Sequence, residues 1–312
     1  MNTLVTGADG FVGQWLCRAL LTAGHEVTGT HYAAAPVTGT LTAAERDAVR
    51  WVPLDLTDEA SISRVGGEPV ERVVHLAGLA SAAVGARDPG LAWRVNAAGT
   101  AQLLHHLAQQ EHALLVLVVS TSEVYGAGKR RLRRETDPLL PRSAYAASKA
   151  GAELAAGDLG RRTPLRILVA RPFPHTGPGQ TTTFMAPAFA ARIRAARASG
   201  ATAVPTGNLE PIRELMDVRD VVDAYLALLE RGAAGEIYNV ARGEGVSVAE
   251  VFTRLARLIG AKVTAEPDPM LHRPADIPHL VGSPAKIFAA TGWRARRTLD
   301  ETLQDLVDAQ TD

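Results

Sequence analysis

The chain has 312 residues, enough for one large core or two joined lobes. Apolar residues make up 46% and charged residues 21%, which excludes a disordered chain and fits an ordinary globular one. Lys plus Arg and Asp plus Glu are 33 each, so the formal net charge is zero and no whole-chain attraction to nucleic acid or anionic lipid is expected. The lone cysteine, Cys17, can form neither an internal disulfide nor a cysteine-based zinc cluster, and no metal site is expected. The longest apolar run, residues 113–119, is far too short to span a bilayer. Residues 1–13 read as a strand entering a glycine turn rather than a basic region followed by a signal core, so a cytoplasmic protein is expected.

In chain order, β-rich runs fall at 3–6, 26–30, 50–53, 72–76, 114–119 and 165–170. Helical patterns lie between them, notably at 11–23, 92–110 and 143–159. Strands that are apolar throughout and separated by helices imply a parallel sheet covered on both faces. Further helices are expected at 185–199, 218–231, 247–259, 283–291 and 299–309, with prolines punctuating the stretch before residue 280. The fold class predicted is α/β: a Rossmann-type doubly wound parallel sheet with a smaller, mixed α/β C-terminal domain. Residues 1–175, with 216–243 returning to them, would form the first domain, and 176–312 the second. The basic run Lys129, Arg130, Arg131, Arg133 and Arg134 reads as a solvated loop.

Thr6-Gly7-Ala8-Asp9-Gly10-Phe11-Val12-Gly13 follows the first strand and opens the first helix. Gly7 permits the tight turn, Gly10 lets a pyrophosphate approach the backbone, and Gly13 lets helix and strand pack closely. The helix N-terminus offers free N–H groups to phosphates. This placement makes the turn a dinucleotide site, with Phe11 and Val12 beside it. At the end of the second strand, where an acid would select NAD, stands His31. NADP(H) is therefore favoured, and NAD(H) stays possible. Asp55 and Leu56, after the third strand, either meet the adenine edge or, for Asp55, serve as a helix N-terminal carboxylate.

Tyr145 and Lys149 lie four residues apart, hence on one helix face. An ammonium beside the phenol would lower its pKa toward operating pH, where proton transfer becomes efficient. The fifth strand runs into Ser120-Thr121-Ser122-Glu123, at the carboxyl edge where ligands sit in such sheets. Thr121 can hydrogen-bond a reacting oxygen, and Glu123 is a second acid/base candidate.

Together these residues resemble the extended short-chain dehydrogenase/reductase family, which acts on nucleotide sugars. Further marks are His75-Leu76-Ala77-Gly78, Asn96-Ala97-Ala98-Gly99-Thr100 and Arg171-Pro172-Phe173. Thr206-Gly207-Asn208 through Arg213, Asp217-Val218-Arg219-Asp220, the run Arg273 to Gly282, and Thr291-Gly292-Trp293 look like the GDP-6-deoxy-D-mannose reductases. The resemblance implies that Thr121, Tyr145, Lys149 and Glu123 are catalytic. It implies cofactor contacts from Leu76, Ala77, Gly78, Asn96, Pro172, Phe173 and His175, besides the glycine turn, His31, Asp55, Leu56, Tyr145 and Lys149. Substrate contacts are implied for Ser122, Glu123, Asn208, Arg213, Arg273 and Asp276. Arg213 and Arg273 would bind the diphosphate, which suits the bidentate fork of a guanidinium. A homodimer is implied as well. The expected reaction is NAD(P)H-dependent reduction of a nucleotide-linked 4-keto-6-deoxyhexose, with a GDP-sugar favoured. A 4-epimerase, a 4,6-dehydratase and a non-catalytic NAD(P)-binding regulator are the alternatives. The chain departs from the family at Pro174, where the usual Asn would contact substrate; proline has no side-chain hydrogen bond and no N–H to offer. Thr121-Ser122-Glu123 also resembles the GDP-mannose 4,6-dehydratases, but Gly10-Phe11-Val12-Gly13 differs from their glycine turn.

Overall fold

A computed structural model describes residues 1–37, 39–110, 112–128, 130–271 and 277–309. Its centre is a seven-stranded, wholly parallel sheet. Six strands come from the first half: β1 (Asn2–Thr6), β2 (Glu26–His31), β3 (Val49–Pro53), β4 (Arg72–His75), β5 (Leu115–Val119) and β6 (Arg166–Pro172). The seventh, Ile237–Val240, arrives late in the chain and pairs with β6, so Tyr238 lies beside Ala170. Across the sheet the order is Ile237–Val240, β6, β5, β4, β1, β2, β3. Strand order reverses beside β1, between β2 and β4, which opens a crevice at the carboxyl ends of these strands. The predicted α/β class and doubly wound sheet are thus observed.

The apolar strands explain the architecture. Every residue of β5 is buried, because helices cover both faces. One apolar cluster joins α1 (Phe11–Thr22) and the helix Val218–Arg231 to one face of the sheet. A second joins the helices Glu59–Gly66, Thr100–Leu107 and Ala144–Arg162 to the other. A third, separate cluster is built from the helices Met185–Ser199, Val248–Ile259 and Leu299–Ala309. Short strands flank it: Ile212–Arg213 pairs with Val246–Ser247 and with His279–Leu280.

Helix ends follow local chemistry. Ser143 caps Ala144–Arg162 by accepting from the Ala146 N–H at 3.1 Å. Ser247 does the same for Val248–Ile259, which Gly260 terminates at φ +69°. One predicted helix needs correction. Residues 92–110 are not a single α-helix: Pro89–Ala92 leads into a π-helical turn, Trp93–Gly99, before α-helix resumes at Thr100–Leu107. The wide turn lets Gly99 press against Leu56, where a Cβ would stand 2.6 Å from the Leu56 carbonyl oxygen, and it buries Asn96. Among the described residues, no helix is long and apolar enough to cross a membrane.

Candidate active site

The glycine turn has the geometry a phosphate cradle requires. Gly7 sits at φ +68° and its N–H donates to Thr30 Oγ1 at 2.9 Å. Gly10 N–H closes the turn on Gly7 O at 3.1 Å. Gly10 is the N-cap of α1 and brings no side chain to cap it, so the first-turn N–H groups remain available to an anion. A Cβ on Gly13 would press into Gly7 O and lie 2.7 Å from Ala8 Cα. Phe11 meets His175 across the cleft, with the rings stacked at 6.2 Å. Val12 packs on the adjoining core. The residues at this turn fit a dinucleotide.

Around it stand the other cofactor candidates. His31 is buried at the end of β2, with Nδ1 2.8 Å from Ala33 O. Asp55 forms a local turn, accepting from Thr57 N–H at 2.8 Å and Thr57 Oγ1 at 2.7 Å. Of the two readings open for Asp55, the helix N-terminal carboxylate falls to Asp58, which caps Glu59–Gly66 by accepting from Ala60 N–H. Leu56 is buried in the second cluster. Leu76 and Ala77 N–H groups donate to Thr6 O and Thr6 Oγ1, which ties the end of β4 to the glycine turn. Next to them, Gly78 leaves room for Asn96, whose Oδ1 accepts from Leu79 N–H at 2.8 Å and whose Nδ2 donates to Ser148 Oγ at 2.9 Å. Pro172 closes β6; Phe173 is fully buried, and His175 Nδ1 lies 2.9 Å from Phe173 O.

Thr121, Tyr145 and Lys149 converge at the carboxyl end of β5, each more than nine-tenths buried. The Thr121 hydroxyl is close enough to the Tyr145 phenol to favour its ionised form. Thr121 Oγ1 also accepts from Glu123 N–H at 3.2 Å. Lys149 Nζ donates to Val119 O at 2.7 Å, and burial pulls its pKa down to about 8 against the opposing pull of Glu153. The phenol departs from the expectation built on helical spacing. Burial first and the Glu123 carboxylate second push Tyr145 above its usual range, outweighing the opposing pull of Thr121. The spacing placed an ammonium on the right face, but it could not anticipate how completely the ring is desolvated. The resting group is a neutral phenol, which is the form that can give up a proton.

The substrate candidates divide. Ser122 and Glu123 form a 3₁₀ turn beside Tyr145. Arg213 lies on the short strand Ile212–Arg213, half-buried. Asn208 is in a surface turn, where its Oδ1 accepts from Glu210 N–H at 3.0 Å. Arg273 and Asp276 lie outside the described residues, as does Lys129 of the basic run. Pro174 contributes its carbonyl, which accepts from Met216 N–H at 2.9 Å.

Four buried polar residues around the site escaped the sequence reading as participants: Glu153, Arg171, Glu214 and Asn239. Glu153 could have been found by extending the Tyr145/Lys149 spacing by one further turn. Glu214, next to Arg213, accepts from the N–H groups of Arg242 and Gly282, and burial pushes it up to about 7. Among the described residues, no group of His, Cys, Asp and Glu could hold a metal ion.

A nucleotide turn, a buried Thr/Tyr/Lys set at the carboxyl edge of β5 and a neighbouring glutamate define a dehydrogenase/reductase type of site. Residues 4–306 match the family described as GDP-mannose 4,6 dehydratase. The chain is 33% identical over 306 residues to GDP-6-deoxy-D-mannose reductase of Pseudomonas aeruginosa, spanning 97% of this chain and 95% of that one. The structure of RMD from Pseudomonas aeruginosa complexed with NADPH matches with a TM-score of 0.81 at 31% identity, covering 99% of this chain and 98% of that one. The Thermus thermophilus UDP-glucose 4-epimerase complex with NAD matches with a TM-score of 0.88 at 30% identity, covering 99% and 98%. The chain belongs to the GDP-mannose 4,6-dehydratase family of extended short-chain dehydrogenase/reductases, a class of nucleotide-sugar-modifying enzymes. Its relatives include a reductase and an epimerase, so membership sets the class of chemistry and not the particular reaction.

Proposed function

We propose that the protein is an NAD(P)H-dependent 4-ketoreductase, with GDP-4-keto-6-deoxymannose as substrate and GDP-rhamnose as product. The observation that carries this reading is the convergence of Thr121, the buried Tyr145 phenol and Lys149 at the carboxyl end of β5. The similarity to a GDP-6-deoxy-D-mannose reductase supports it. Residues 1–175 with 216–243 form the cofactor lobe on this reading, and the remainder binds the nucleotide sugar. Gly7, Gly10 and Gly13 hold the pyrophosphate, and Lys149 holds the nicotinamide ribose. The bound cofactor supplies the hydride that reduces C4 of the sugar.

Thr121 and Tyr145 hold the ketone oxygen. As charge develops on that oxygen, Tyr145 gives it the phenolic proton, and Thr121 remains as a preorganised donor. Lys149, cationic below about pH 8, stabilises the phenolate left behind. Arg213 and Arg273 take the diphosphate. With no carboxylate at His31 to repel a 2′-phosphate, NADPH is preferred over NADH.

The test is loss of absorbance at the reduced-nicotinamide band when the keto sugar is added with NADPH, and separately with NADH. One cofactor oxidised per sugar consumed is the expected result. Turnover of a nucleotide sugar with no net cofactor consumption overturns the reductase reading. That outcome would support the second reading, an epimerase or dehydratase, which one observation favours: Glu123 is close enough to Tyr145 to act on its charge.

A homodimer is part of the proposal. Leu154 on the helix Ala144–Arg162 is 73% exposed, and Trp93 in the adjoining π turn is 47% exposed. Both are large apolar groups on neighbouring helices, the kind of surface a second copy covers. Sedimentation at micromolar concentration should give twice the chain mass of 33.0 kDa, and a monomer would remove this part of the proposal.

A further inference from the structure

Behind the Thr121/Tyr145/Lys149 set lies a buried polar network that the reaction above does not use. Glu153 stands one helical turn beyond Lys149 and two beyond Tyr145, so one helix face carries all three, each more than nine-tenths buried. Its carboxylate is held from two sides. Arg171, at the end of β6, forks onto it, with Nε at 3.0 Å from Oε1 and Nη2 at 2.6 Å from Oε2. Ser120, the residue before Thr121, donates its hydroxyl to Oε1. The guanidinium is anchored in turn: Nη1 donates to Tyr125 Oη at 2.9 Å and to Glu135 O at 3.2 Å. Tyr125 Oη donates its own proton to Asn239 Oδ1 at 2.6 Å, on the seventh strand. The side chains of Glu153 and Arg171 are only 4% and 3% exposed.

We propose that the Glu153–Arg171 pair is the positioning device of this site, with Glu153 holding the Lys149 ammonium and the Ser120–Thr121 segment in register with Tyr145. The inference rests on the proposed roles of Lys149 and Tyr145. Two charges could be removed from water far more simply with apolar side chains, since a buried ion pair is a poor source of stability. This one connects three elements that bear the reacting groups: the helix of Tyr145 and Lys149, the end of β5 with Thr121, and β6. Of the charged and titratable groups around Lys149, Glu153 is the anion that favours its protonated form. His75, packed from β4, is held neutral by burial at a pKa of about 3. Tyr225, from the helix Val218–Arg231, and Tyr145 are both raised and neutral, while Glu123 acts on Tyr145. Arg171 is held cationic by Glu153.

The sign of the effect follows. Removing the Glu153 charge leaves the buried ammonium less stable, so Lys149 loses its proton at lower pH. Removing Arg171 alone leaves the carboxylate uncompensated, and Lys149 keeps its proton to higher pH. The experiment uses the full chain as Glu153→Gln, Arg171→Met and the double variant. It measures thermal unfolding, the pH profile of turnover, and the pH profile of NADPH affinity by fluorescence, which needs no sugar. Glu153→Gln should unfold at lower temperature, because it strands a buried guanidinium, and the double variant should recover. The alkaline limb of both profiles should move down by about one unit in Glu153→Gln, the size expected of a neighbouring charge, and up in Arg171→Met, with a smaller downward shift in the double variant, where the two losses oppose each other. A merely structural pair would lower rates without moving the limb. Limbs that stay in place in Glu153→Gln and Arg171→Met overturn the inference, as does a limb raised in the folded double variant. Failure of the unaltered protein to bind NADPH removes the cofactor reading and the inference with it. NADPH binding without turnover of the keto sugar removes only the substrate reading, because the affinity profile still reports on Lys149.

Discussion

Tyr145→Phe should bind NADPH as the unaltered protein does and lose about 10²–10⁴-fold in turnover, the range that a positioned general acid supplies. The substitution removes one oxygen from a side chain that is 8% exposed and leaves the ring in place. On the proposed reaction, what disappears is the proton that must reach the C4 oxygen as hydride arrives. In free-energy terms the loss is about 3–5 kcal/mol of transition-state stabilisation. Cofactor affinity should hold because the glycine turn and Lys149 are untouched. Stopped-flow absorbance with saturating NADPH measures the first quantity, and fluorescence titration the second. Turnover within tenfold of the unaltered enzyme would remove Tyr145 as proton donor and pass the role to another group, with Glu123 the first to examine.

Gly13→Ala should abolish measurable NADPH binding and destabilise the fold by at least ~1–3 kcal/mol, the usual range for overpacking. The added methyl would run into backbone, namely Gly7 O and Ala8 Cα, and not into the end of a flexible side chain. The only relief is to lift α1 away from β1, which opens the turn that Gly7 and Gly10 form. Gly39→Ala is the control, since nothing lies within 4 Å of its new methyl group. A Gly13→Ala protein that unfolds like the original and binds NADPH would show that close approach of helix and strand is not what makes the cradle. These two substitutions probe different halves of the site. The first removes chemistry and leaves binding; the second removes binding before chemistry can begin.

Much of this was legible because the relevant physics is local in the chain. A continuous apolar run such as β5 has to be a strand buried on both faces, whatever its neighbours are. Three glycines between a strand and an amphipathic helix specify a backbone that a dinucleotide can approach. A spacing of four puts Tyr145 and Lys149 on one helix face in any helix. The helices Met185–Ser199, Val218–Arg231 and Leu299–Ala309 likewise lie at the bounds their periodicity predicts.

Features that depend on packing were not legible. Strands of two residues, such as Ile212–Arg213 and His279–Leu280, are too short to show alternation and exist because each pairs with the other. The π turn at Trp93–Gly99 is composed like an α-helix and is widened by what Gly99 and Asn96 must touch. The state of Tyr145 depended on burial, which spacing does not encode. The Glu153–Arg171 pair joins a helix to a strand 18 residues further along, and its isolation from water is a property of the assembled core. The sequence by itself determined the sheet, the glycine turn and the residue types at the site, because periodicity and backbone freedom act between near neighbours. Only the tertiary structure decided which polar groups are desolvated and paired, because desolvation requires the whole core to close around them.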